Sequence, residues 1–232
     1  MVKALHTDGA RDEPHRPPNP FEDPTLADRY EDWYAAEGRR ADVREKELLA
    51  KLLCTFPRAR SILEIGCGTG HFTRWFAERG LDAVGVDSSE PMLAVARGLG
   101  GPQYTHADAG ALPVGDRSFD LTAMITTLEF VRDPLQALAE AVRVARQGVL
   151  LGVLNRWSLM TLRYRLSGGP VWRAARFFGP FELATLARGA AGRRAETVVW
   201  RTTLWPLPVA RDLSLPWGGF IGMGLHLKEV DS

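Results

Sequence analysis

The segment Glu64-Ile65-Gly66-Cys67-Gly68-Thr69-Gly70 places three alternating glycines and an acid at the end of a short apolar run. A tight strand-to-helix turn needs glycine, both to reach positive φ and to let backbone approach a ligand closely. Such a turn also aims free backbone N–H groups at whatever binds there. Alone, the pattern reads equally well as an ordinary tight turn. Two acids strengthen it. Asp87 ends the next apolar run, 21 residues after Gly66, and Asp108 follows a third run after another 21 residues. A carboxylate at the first position can accept both hydroxyls of a ribose. One at the second can accept from an adenine amino group. Each acid taken singly could be a helix cap or a solvated turn. Three consecutive strand ends carrying glycine loop, acid and acid make the wall of an adenosine site.

The glycine spacing bears on what is attached to the adenosine. Dinucleotide sites use G-x-G-x-x-G, whereas here the spacing is G-x-G-x-G with Glu64 two residues ahead of the first glycine. A carboxylate repels a pyrophosphate and attracts a sulfonium and its amino group. There is also no GKS or GKT of a phosphate-binding loop.

These residues need a scaffold, and the chain supplies one. Short apolar runs at 61–65, 83–86, up to His106, 119–125 and 148–154 alternate with helical patterns. Leu48, Leu49, Leu52 and Leu53 form one stripe of a helix over 41–53. Ser88 or Ser89, followed by Pro91, and Asp133, followed by Pro134, read as helix starts. Strands alternating with helices predict βαβ units and a parallel sheet covered on both faces. Right-handed crossovers make it doubly wound, with ligands at the carboxyl ends of the strands. Two further strands are expected over 196–204 and 220–228, paired antiparallel. The stretch 155–194 reads as less regular.

The chain resembles the class I S-adenosylmethionine-dependent methyltransferases, in the broad group that includes the ubiquinone/menaquinone C-methyltransferases. The matching pieces are Ile62 to Gly70, Val84-Gly85-Val86-Asp87-Ser88-Ser89, Ala107-Asp108-Ala109 with Leu112-Pro113, and Ser118-Phe119-Asp120. They lie within roughly Arg29 to Leu154. The combination is specific for the cofactor and not for the acceptor. The resemblance implies a Rossmann-like seven-stranded α/β sheet, mostly parallel with the last strand antiparallel. It implies S-adenosylmethionine as methyl donor and S-adenosylhomocysteine as product. Gly66, Gly68 and Gly70, with Cys67 among them and Glu64 nearby, would line the methionine moiety. Asp87 would hold the ribose beside Ser88. Met92 would pack near the adenine, unless it is plain core. Asp108 and Ala109 would meet the adenine edge, and Thr126 would contact the donor. An N-terminal aromatic, Tyr30 or Trp33, would close over the donor, the alternative being core packing of an N-terminal helix.

Methyl transfer is a direct displacement at carbon, so alignment and exclusion of water matter most. A base is needed only when the acceptor is not already nucleophilic. The sequence carries no conspicuous catalytic residue. Glu129 is the candidate taken forward, as base or substrate ligand, against the reading of a solvated turn carboxylate. His71 reads as a partly exposed helix residue and His106 as structural. Asn155 and Arg156 end the fifth strand where substrate contact is open. No clustered metal-ligand set is seen.

Net charge is +1 over 232 residues, which gives no sign of a nucleic-acid binder. Cys54 and Cys67 form no CxxC pair and read as reduced thiols. With no signal peptide and no apolar run of about 18 residues, the expectation is a cytoplasmic protein. Residues 1–20, proline-rich, read as a flexible arm, and 21–232 as one domain with 155–194 as an acceptor-side lid. No acid occurs between Glu140 and Glu182, while Arg143, Arg146, Arg156, Arg163, Arg165, Arg173 and Arg176 do. Interleaved with aromatics, these point to an anionic or aromatic small-molecule acceptor or to peripheral membrane contact, against a solvated face over a lid core. A non-catalytic S-adenosylmethionine-binding protein and an RNA or protein methyltransferase stand as alternative functions. Oligomeric state is open.

Overall fold

In a computed structural model of the chain, residues 19–205 and 212–228 are described. The chain enters through a 3-10 turn, Pro20–Glu22, and two helices, α1 (Pro24–Ala35) and α2 (Arg39–Leu53). The alternating body follows: β1 (Ser61–Ile65), α3 (His71–Ala77), β2 (Asp82–Asp87), α4 (Glu90–Leu99), β3 (Gln103–His106), β4 (Phe119–Ile125), α5 (Pro134–Val144) and β5 (Ala145–Leu154). Three helices come next, α6 (Leu159–Ser167), α7 (Pro170–Ala174) and α8 (Pro180–Ala191), then β6 (Ala195–Thr203) and β7 (Phe220–Leu227).

The helix starts follow side-chain chemistry. The Ser89 hydroxyl accepts from the Met92 N–H at 3.3 Å and opens α4. The Asp133 carboxylate accepts from Leu135 and Gln136 N–H at 3.0 and 3.1 Å and opens α5, with Pro134 supplying no surplus donor.

The strands form one seven-stranded sheet in the order β3-β2-β1-β4-β5-β7-β6. β7 pairs antiparallel with both β5 and β6, and the other pairs are parallel. Leu150 and Leu151 of β5 and Leu121 and Met124 of β4 are buried, since both sheet faces are covered. α5 and α8 pack around Leu138, Phe178 and Leu183 on one face. α2 and α3 pack around Leu48, Leu49 and Phe76 on the other. Strand order reverses between β1 and β4, which fixes where a cleft opens at the carboxyl ends.

Two expectations change. The 155–194 stretch is helical, and its last helix, α8, belongs to the packed body against α5, β6 and β7. Gly169-Pro170 and Gly179-Pro180, which look like breakers, are helix starts with proline in the first turn. The expected arm, residues 1–20, falls outside the described residues except for its last two. Asn19 accepts from the Phe21 N–H at 3.2 Å and so belongs to the ordered entry. Among the described residues no helix is long and apolar enough to cross a membrane.

Candidate functional site

A cleft of about 520 Å³ opens at the switch point, within the usual range for a small-molecule site. Gly66, Gly68 and Gly70 have φ of 73°, 54° and 77°, so all three turn through the left-handed region. Val86 O accepts from both Gly66 and Cys67 N–H, at 2.7 and 3.0 Å, and ties the loop to β2. A Cβ on Gly66 would stand 2.1 Å from the Thr127 methyl, so glycine is obligatory there for space as well as for φ. A Cβ on Gly68 would meet nothing within 4 Å, and it faces the cleft that this residue lines.

Asp87 closes the loop from the side. Its Oδ2 accepts from Gly68 N–H at 2.7 Å and its Oδ1 from Ser89 N–H at 2.8 Å. Burial raises its pKa above the ordinary carboxylate value against the pull of these donors. Each oxygen retains acceptor capacity, enough for a pair of vicinal hydroxyls. Asp108 lies exposed at the end of the third strand and accepts from Gly110 N–H at 2.7 Å, with Ala109 beside it. Met92 is fully buried and also lines the cleft, so it is both core and wall.

Glu64 is buried and accepts a short hydrogen bond from the Thr73 hydroxyl. Burial pushes its pKa up to about 8, with Thr73 opposing the rise. A buried acid lining a cleft with one neutral partner calls for a cation, since a positive group alongside would restore its ionised form. This donor set fits S-adenosylmethionine: hydroxyl acceptors at Asp87, an amine acceptor at Asp108, and a carboxylate for positive charge at Glu64.

Thr126 sits at φ 52°, rare for a β-branched residue and characteristic of functional turns. Its N–H donates to Gly152 O at 2.7 Å, and the residue lines the cleft. Next to it the Thr127 hydroxyl donates to Gly66 O and Ile125 O, both at 3.1 Å, joining β4 to the glycine loop.

The cleft also carries an aromatic wall. Tyr30, Tyr34, Phe21 and Phe130 line it, with Phe21 edge-on to Phe130 at 4.9 Å. Burial pushes the Tyr30 hydroxyl up to about 12, and the nearby acids Glu45, Asp87 and Glu129 add to the rise. Of the two aromatics expected to close the donor, Tyr30 lines the cleft. Trp33 instead covers Gly38, and the helix turn puts Tyr34 where it would have been. Tyr34 stacks on His71 at 3.7 Å.

His71 links the N-terminal helices to the loop. Its Nε2 meets Asp42 at 2.7 Å and its Nδ1 approaches Glu31 at 3.6 Å. Glu31 also accepts from Arg74 at 3.0 Å and from the Thr69 hydroxyl. Burial works against both charges. The Asp42 and Glu31 contacts nevertheless raise the His71 pKa. Hydrogen bonds from His71 and Thr69 and the Arg74 charge hold Glu31 at about 2.

One expectation is corrected, and two residues whose role was open are placed. Glu129 neither faces the cleft nor reaches solvent. The turn in which Phe130 N–H meets Thr127 O presents Phe130 to the cleft, while Glu129 is buried. Its Oε1 accepts from Leu154 N–H at 2.6 Å, its Oε2 has no partner, and burial pushes its pKa up to about 8. Asn155 is a strut, donating to Pro216 O and Gly218 O at 2.6 and 2.7 Å. Arg156 pairs with Glu182 at 2.9 Å on the surface. Thr127, Tyr34, Phe21 and Phe130 escape the sequence reading. Only the hydrophobic character of the last three hints at them.

Known proteins share the fold. The model of a methyltransferase domain family matches residues 63–153. A solved structure from Thermotoga maritima, described as an S-adenosylmethionine-dependent methyltransferase and possible histamine N-methyltransferase, superposes with a TM-score of 0.75 at 30% identity, covering 88% of this chain and 97% of its own. A malonyl-[acyl-carrier protein] O-methyltransferase of Salmonella typhimurium is 33% identical over 156 residues, 66% of this chain and 61% of the relative. A demethylmenaquinone methyltransferase of Renibacterium salmoninarum is 36% identical over 106 residues, 45% of this chain and 44% of the relative. The chain spans less than two thirds of the length of these two curated relatives.

Proposed function

This chain belongs to the S-adenosylmethionine-dependent methyltransferases, and we propose that it methylates a small molecule entering at the aromatic wall of the cleft. The observation that carries this reading is the convergence of the glycine loop, Asp87 and Asp108, from three adjacent strand ends, on one cleft that Tyr30, Tyr34 and Phe130 also line.

When bound, S-adenosylmethionine supplies an electrophilic methyl group carried on a sulfonium. The residues around it then have separate tasks. Asp87 would hold the ribose hydroxyls, Asp108 and Ala109 the adenine edge, Met92 the adenine face, and Glu64 the positive methionine end. Gly66, Cys67, Gly68 and Gly70 supply close backbone, with Ser88 and Thr126 at the flanks. Tyr30, Tyr34 and Phe130 exclude water and restrict the acceptor to an in-line approach, the main contribution protein makes to a direct displacement.

Neither of the two buried carboxylates beside the glycine loop is assigned as a base for the acceptor. Glu64 is taken up by Thr73, and Asp87 by two N–H groups. The rings of Phe21, Tyr30, Tyr34 and Phe130 in the cleft lining favour the aromatic half of the sequence expectation over the anionic half.

The test is formation of S-adenosylhomocysteine with a panel taken from the relatives' chemistry: a hydroxylated quinone, an aromatic amine and a malonyl thioester. Turnover is expected with the neutral aromatic members and lost in Tyr34→Ala. If no member is turned over while the donor binds, the chain is an S-adenosylmethionine-binding protein rather than a small-molecule enzyme.

A further inference from the structure

Helix α6 carries its leucines on its exposed side. Leu159, Leu162 and Leu166, at i, i+3 and i+7, form a single stripe. In a globular protein such a stripe faces the core. Here these leucines are 60%, 49% and 77% exposed, while Thr161 on the opposite side is fully buried. The stripe continues onto the neighbouring loop. Asn155 ties its strand end to Pro216 O and Gly218 O, and Met160 lies over Gly219, so residues 157–166 and 213–219 run side by side. Trp157, Leu215 and Trp217 extend the exposed surface there. Of the twelve large exposed apolar side chains described, eight come from residues 157–166, 181 and 213–217, so the apolar surface is gathered in one region.

The charge on this surface has one sign. Arg163, Arg165 and Arg173 are exposed, and among the described residues none has an acidic partner. Glu182 takes up only Arg156 and Arg176. The surface also borders the cleft mouth, because α7 packs beside the Pro20–Glu22 turn, whose Phe21 lines the cleft.

We propose that α6 and the 213–219 loop dock on an anionic phospholipid bilayer. Leucines and tryptophans would enter the headgroup boundary and arginines would meet the phosphates. A second copy of the chain is the weaker occupant. A two-fold interface through this patch would set unpaired arginines against their own counterparts. Docking this way would deliver an apolar aromatic acceptor, partitioned into the bilayer, next to the aromatic wall of the cleft.

Vesicle co-sedimentation of the full chain tests this and needs neither donor nor acceptor. Binding is expected to phosphatidylcholine vesicles containing phosphatidylserine, to weaken with added salt, and to be absent on phosphatidylcholine alone. Arg163→Ala with Arg165→Ala should weaken binding about thirty-fold, the effect of two basic residues at a charged surface. Leu162→Glu with Leu166→Glu should abolish binding and leave the melting temperature unchanged. Leu99→Glu, exposed elsewhere, should bind as the parent does. Failure to sediment with anionic vesicles, or equal binding to neutral ones, overturns the proposal. So does a dimer in light scattering that the leucine pair dissolves while vesicles bind nothing.

Discussion

The two halves of the cleft are built on different principles. The donor half hangs from three neighbouring strand ends, and its working groups are backbone N–H groups and carboxylates fixed to them. The half proposed to receive the acceptor is assembled from α1, the turn after β4 and the 3-10 entry, far apart in the chain, and its lining groups are aromatic rings. Position in the donor half follows from sheet geometry. In the acceptor half it follows from which way each helix or turn residue rotates.

The sharpest break in the comparison is Asp87→Ala. It removes an acceptor holding Gly68 and Ser89 N–H and two ligand hydroxyls. At about 1.5–3 kcal/mol for each charge-assisted bond to ligand, donor affinity should fall by about a hundred-fold or more in calorimetry. An unchanged affinity would take the donor out of this half.

Next comes a pair inside the loop. Gly66→Ala drives a Cβ into Thr127 and should cost several degrees or more of melting temperature. Gly68→Ala points its Cβ into open cleft. It carries only the left-handed strain, about 1–2 kcal/mol, and should lose donor affinity with little loss of fold. Equal thermal losses would mean both glycines serve the turn alone.

Behind the aromatic wall, at Glu129, the expected effect depends on pH. Burial raises the folded pKa of Glu129 to about 8 from an ordinary value of 4.5, with Glu45 adding to the rise. The unfolded chain therefore releases this proton first. The group's contribution is fully present below about pH 4.5, fades as pH rises, and is gone above about 8. Glu129→Gln should stabilise increasingly across that window, by on the order of a few kcal/mol at its upper end. Denaturant titrations at several pH values read this, and parallel curves for variant and parent would contradict it.

The smallest effect belongs to the strap joining the halves. Glu31→Gln removes the Arg74 ion pair and weakens the Thr69 and His71 contacts. Half-exposed pairs contribute about 0.2–1 kcal/mol, so donor affinity should weaken two- to five-fold. A hundred-fold loss would place Glu31 in the site itself.

The sequence was informative in proportion to how local each feature is. Glu64, the glycines, Asp87 and Asp108 could be placed because each lies within one or two residues of a strand end and repeats at a fixed spacing. Trp33 and Tyr34 are neighbours on one helix, and a single helical step decides which meets the cleft. The same holds for Glu129 and Phe130 across one turn. No local pattern encodes that choice, since it depends on how α1 and the turn pack. The leucines of α6 illustrate the same point. Periodicity says which residues share a face, while only the surrounding fold says whether that face is covered. The helices of 155–194 were hidden by Gly-Pro pairs that open helices but resemble loops.

The most direct measurement is a side-by-side calorimetric titration with S-adenosylmethionine and with NAD. Binding of S-adenosylmethionine alone, weakened about a hundred-fold or more in Asp87→Ala, is the predicted result. Binding of NAD in its place would show that the glycine loop, Glu64 and Asp87 serve a dinucleotide, and would contradict the assignment of the donor half.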